Sequence, residues 1–169
     1  MTLSSRPILP SVVLLLLLAS GCLKKESYPD TPAIELKGFT LMFDSAQFAK
    51  RGILSISYTD GNGDIGLSEG DTLPPYSRDS LCYYNLVINY YEKQNGTFHL
   101  VVLNPPFSGR LPLLSPDYPG KAIKGIITDT LLMNPAPVFD TVKFEVFLYD
   151  HALNKSNTVT TPEIILRRP

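Results

Sequence analysis

Thr141-Val142-Lys143-Phe144-Glu145-Val146-Phe147-Leu148 alternates with period two: Val142, Phe144, Val146 and Leu148 fall on one face, Thr141, Lys143, Glu145 and Phe147 on the other. A strand sends successive side chains to opposite sides, so this stretch reads as a β-strand with its aliphatic face on a core. The same period recurs along the chain, giving candidate strands at 34–43, 52–59, 81–92, 97–103, 122–132, 141–149 and 158–166. Gln94-Asn95-Gly96 reads as a hairpin turn, because Asn-Gly accepts the positive φ such turns need. Fifteen prolines and eleven glycines punctuate these runs, and no long amphipathic helix appears apart from one short turn at 45–50. Together these signals predict an all-β domain over 34–169, an antiparallel sandwich of about seven strands.

Upstream the chain changes character. A short positive segment with Arg6 leads into the apolar stretch 8–19, and the small residues Ala19-Ser20-Gly21 stand directly before Cys22. That layout is an export signal, residues 1–21. The apolar run is shorter than the ~20 residues that span a bilayer, and Pro7 and Pro10 disturb its first turn. Leu18-Ala19-Ser20-Gly21-Cys22 resembles the bacterial lipobox. The resemblance implies cleavage before Cys22, a diacylglyceryl group on its sulfur and an acylated amino group, which together anchor stably where one chain holds marginally. Residues 22–33 are polar, contain Pro29 and Pro32, and read as a tether to the domain. The expectation is a lipoprotein of the cell envelope, at the outer membrane and facing the periplasm or the surface.

Fifteen basic residues against sixteen acidic, scattered along the chain, argue against a nucleic-acid partner. With Cys22 lipidated, Cys82 has no partner within the chain and is expected in the core, on a strand face shared with Tyr84, Leu86, Ile88 and Tyr90. No His-Glu-x-x-His, Cys-x-x-Cys, Gly-x-Ser-x-Gly or phosphate-cradling loop occurs. His99 falls in a strand and His151 in a turn, so both read as structural.

Phe144-Glu145-Val146-Phe147-Leu148-Tyr149-Asp150-His151-Ala152-Leu153-Asn154-Lys155-Ser156-Asn157-Thr158-Val159 resembles the closing hairpin of bacterial immunoglobulin-like domains, whose turn reads Asp-x-Ala-Gly-Asn-x-Ser; Leu153 stands in place of the glycine. With Tyr58-Thr59-Asp60-Gly61-Asn62-Gly63-Asp64-Ile65-Gly66, the chain is similar to small lipoproteins of the Bacteroidetes type, a likeness that brings no activity with it. It implies an immunoglobulin-like sandwich.

Asp60, Asn62 and Asp64 alternate with glycines, and Glu69 and Asp71 follow. Oxygen side chains at such spacing resemble the start of a calcium loop, with Asp71 in the twelfth position. Ile65 occupies the place of the sharp-turn glycine, and an ordinary acidic turn has the same composition. In an antiparallel sandwich the connections 60–80, 104–121 and 150–157 return to the pole where the first strand begins. Asp150 and Asn154 are therefore expected to complete a calcium shell with Asp60, Asn62 and Asp64.

Ser45, Thr72, Ser80, Thr130 and Thr141 each follow an aspartate and precede an apolar residue, a pattern resembling the acceptor of Bacteroidetes-type O-glycosylation. Asp-Thr and Asp-Ser also often open strands, but five such tripeptides exceed chance, and O-glycosylation at these positions is the expectation. These features favour a non-catalytic binding or assembly domain with an envelope protein or glycan as partner. The alternatives are a carbohydrate-binding module stacking sugars on Tyr76, Phe107 and Tyr118, and a glycan-active enzyme using carboxylates from 60–71 and Asp117.

Overall fold

The computed structural model describes residues 27–46, 48–115, 120–133 and 138–166. Among them the chain forms strands and no helix: β1 (Ala33–Phe43), β2 (Ala49–Asp60), β3 (Leu86–Gln94), β4 (Thr97–Val101), β5 (Ile123–Leu132), β6 (Thr141–Leu148), β7 (Val159–Thr160) and β8 (Ile164–Ile165). One sheet has the order β1-β2-β5, the other β4-β3-β6-β7, with β8 also paired to β6. All these strand pairings are antiparallel.

The alternation in β6 sets the core. Val142, Phe144, Val146 and Leu148 are wholly buried, and they meet Leu86, Ile88 and Tyr90 of β3 and Ile34, Leu54, Ile56 and Leu131 of the other sheet. Phe39 of β1 stacks on Phe144 across the layers at 5.1 Å between ring centroids. The molecule is thus an all-β sandwich of two antiparallel sheets around one core.

The expected strands at 81–92 and 158–166 depart most from the observed ones. Residues 81–85 form turns before β3, because the β3–β6 ladder ends at Leu86 opposite Leu148 and the Asn85 side chain turns inward instead. Cys82 therefore lies half-buried in a turn and not in the core. The last strand is split in two. Pro162 has no N–H to give to a ladder, and just before it the Thr161 hydroxyl, in place of a backbone carbonyl, accepts the Phe144 N–H at 3.0 Å. The turn expected at 45–50 is an aspartate-capped loop: Asp44 Oδ1 accepts from the N–H groups of Ala46 and Phe48, and β2 begins at Ala49.

Candidate functional site

The connections after β2, β4 and β6 meet at the pole where β1 begins. Asp60 closes β2, and Asp150 lies just beyond β6, where it forms a β-bridge with Ile65. The His151 N–H donates to the Asp64 carbonyl at 2.9 Å, Leu114 N–H to Ile65 at 3.0 Å, and Leu67 N–H to Leu111 at 2.9 Å. The chain entering β1 is held there too, since the Gly61 N–H donates to the Pro29 carbonyl at 2.8 Å.

This convergence assembles carboxylates that are distant in sequence. Asp60, Asp64 and Asp150 each place an oxygen within 4.8 Å of the others, and Asp60 and Asp150 are 0% and 1% exposed. Asp60 Oδ2 accepts the Asp64 N–H at 2.9 Å, and Asp64 Oδ2 accepts the Ala152 N–H at 3.2 Å. Asp150 is held by Asn154, whose backbone N–H and side-chain amide reach its two oxygens at 2.7 and 2.8 Å. The remaining oxygens, Oδ1 of Asp60, Asn62 and Asp64, are buried and accept no hydrogen bond within the protein. A buried acceptor left so costs about 1–3 kcal/mol, and more when it is charged.

The electrostatics follow from the packing. Burial first, and the neighbouring Asp64 charge second, push the Asp60 carboxyl up to about 6. Burial likewise raises Asp150, outweighing the bonds it receives from Asn154. Chemically the pole gathers three carboxylates whose oxygens lie close enough to repel one another, a donor set suited to holding a hard cation.

Of the other expected ligands, Glu69 is exposed and Asp71 is committed elsewhere. Asp71 Oδ2 accepts from the Ser68 N–H and hydroxyl at 2.7 and 2.8 Å, and its Oδ1 meets His151 Nε2 at 3.3 Å. Neither joins the close carboxylate group. Two residues expected to offer stacking faces turn inward. The Tyr76 hydroxyl donates to the His151 carbonyl with its ring 5.1 Å from the imidazole, and Phe107 packs edge-on against Tyr90 and Phe144, at 5.6 Å from each. Cys22, Asp117 and Tyr118 lie outside the described residues.

Among the acceptor-like positions, Ser45, Thr72 and Thr130 are exposed, whereas Ser80 and Thr141 are half-buried with hydroxyls bonded to Ser77 and Asp140. Asp44, Asp71 and Asp129 use their carboxylates locally, on N–H groups of Ala46, Ser68 and Thr130, which gives the recurring Asp a conformational role.

Three residues that organise the pole had no sequence signal. Asn85, 1% exposed, exchanges two hydrogen bonds with the backbone of Leu111. Arg110 donates to the carbonyls of Asp71, Tyr83 and Tyr76, drawing the long β2–β3 connection around one guanidinium. Asn157 bonds both the N–H and the carbonyl of Ile34, tying the last hairpin to β1 in the other sheet. Each partner is far away in sequence, so no local spacing marks them. No protein-family model, characterised protein or solved structure matches the chain.

Proposed function

We propose that the chain is a lipid-anchored protein of the cell envelope whose immunoglobulin-like sandwich is a non-catalytic binding or assembly domain. Anchoring is supported by the lipobox-like run ending at Cys22. The immunoglobulin-like assignment is supported by the strand order, with the first, second and fifth strands in one sheet and the third, fourth, sixth and seventh in the other. Docking of Pro29 on Gly61 leaves little free tether. The six residue-to-residue steps from Cys22 to Tyr28 reach at most about 20 Å at ~3.3 Å each, so the loop pole stands close to the bilayer.

The observation that carries binding over turnover is a groove of about 450 Å³ beside β5, walled by Leu103, Pro105, Phe107, Leu131, Leu132 and Met133 among others, with Asp129 the one ionisable group among the described residues that line it. β5 is also the free edge of its sheet, and Leu132 is 69% exposed. An apolar groove along an edge strand suits an extended segment of a partner protein, which pairs with the edge and seats its side chains in the groove. A photo-crosslinking residue at position 132, in cells, is expected to capture an envelope protein from the membrane fraction, and Cys22→Ser is expected to leave that fraction. Retention of Cys22→Ser in the membrane contradicts the anchor; capture of glycan without protein contradicts the partner class.

A further inference from the structure

Three buried oxygens at the loop pole, Oδ1 of Asp60, Asn62 and Asp64, accept no well-formed hydrogen bond within the protein, and the Asp60 side chain carrying one of them is wholly buried. A single proton on one carboxyl serves one or two of these acceptors and leaves like charges in contact. A divalent cation among Asp60, Asp64 and Asp150, whose oxygens lie within 4.8 Å of one another, offsets the repulsion, and the unpaired Asn62 oxygen between the first two in sequence is available as a further ligand. We propose that Asp60, Asn62, Asp64 and Asp150 form a calcium site that staples the two sheets together and fixes the point where the tether leaves the domain.

The identity of the ion follows from donor type and spacing. All four side chains offer oxygen, which disfavours zinc, an ion drawn to nitrogen and sulfur. Calcium–oxygen bonds of about 2.3–2.6 Å place opposite ligands roughly 4.6–5.2 Å apart, so carboxylate oxygens within 4.8 Å of one another fit one shell. Magnesium holds on to several of its waters, which a pole this buried does not favour.

The staple follows from where the ligands sit. Asp60 ends β2 in the three-stranded sheet, and Asp150 lies just beyond β6 in the five-stranded one. Gly61, between two ligands, is pressed against the tether so closely that a Cβ there would meet the Tyr28 carbonyl oxygen at 2.3 Å. Holding 60–64 in place therefore holds the tether's dock. This inference does not depend on lipid at Cys22.

The test uses the full chain purified in detergent, stripped with a chelator and titrated with calcium chloride or magnesium chloride. Calcium is expected to bind in the micromolar to millimolar range and, at about a hundredfold excess over its Kd, to raise Tm by roughly 5 °C or more. Asp64→Asn, at a half-buried position, is expected to fold and lose at least about tenfold in calcium affinity. Asp60→Asn, which removes a buried like charge, is expected to melt no lower than wild type in chelator and to gain little from calcium. Absence of binding heat and of any Tm rise at millimolar calcium overturns the site. Equal affinity for magnesium overturns the assignment of the ion, and undiminished affinity in both variants overturns the ligand set.

Discussion

At one end of the sandwich Asn95 and Gly96 turn β3 into β4 with φ of 50° and 84°, and the ladder resumes at once with Gln94 opposite Thr97. At the other end the turn after β6 carries Leu153 at φ 67°, and its shape depends on Asp150, Asn154 and the Asp64 carbonyl, the last from the far side of the fold. The first turn is specified by two adjacent residues whose backbones tolerate the left-handed region. The second holds a leucine in that region because the surrounding hydrogen bonds fix it there, at a local cost of about 1–2 kcal/mol. Local sequence builds the hairpin end; long-range polar contacts build the loop pole.

The largest effect is expected where a long-range contact is cut. Asn85→Ala leaves the Leu111 N–H and carbonyl without their buried partner, and urea unfolding should show a loss of about 3 kcal/mol. A loss under about 1 kcal/mol would mean that the β4–β5 connection holds itself. At the hairpin end, Gly96→Ala puts a Cβ at φ 84° into open space, so strain alone acts, and a loss of about 1–2 kcal/mol is expected. Asn157→Ala removes two partly exposed bonds to Ile34 and should cost about 1 kcal/mol. The smallest change sharpens the comparison most. Leu153→Gly relieves the left-handed leucine, loses a side chain already 37% exposed, and should stabilise by about 0.5 kcal/mol after the entropy of glycine is counted. Destabilisation by this change would mean that the leucine side chain, and not the polar frame, sets the turn.

The same division explains what the sequence made legible. β6 was readable because period-two alternation is a local property of one strand on one core, and the Asn-Gly turn because two residues suffice. Strand ends were less so: alternation continues back to Cys82, but pairing stops at Leu86, and only the fold shows that Asn85 turns inward to Leu111. The convergence of Asp60 and Asp64 with Asp150 and Asn154 was accessible because antiparallel connectivity dictates which loops share a pole. The departure of Asp71 from that group was not, since its carboxylate is drawn off by Ser68 and by His151, eighty residues away. Phe107 illustrates the same limit: an aromatic in a proline-rich loop reads as a surface face, and only the fold shows its ring edge-on to Tyr90 and Phe144 while it also walls the groove beside β5.

If the hairpin end is self-sufficient and the loop pole needs a cation to satisfy its oxygens, calcium must act on one and leave the other unchanged. Residue-resolved amide hydrogen exchange of the full chain, in chelator and in calcium, measures this directly. Exchange is expected to slow in calcium at Gly61, Asp64, Ala152 and Asn154, whose N–H groups bond within the pole, and to stay unchanged at Gly96 and Thr97. Exchange at the pole that is identical with and without calcium would contradict its need for a cation.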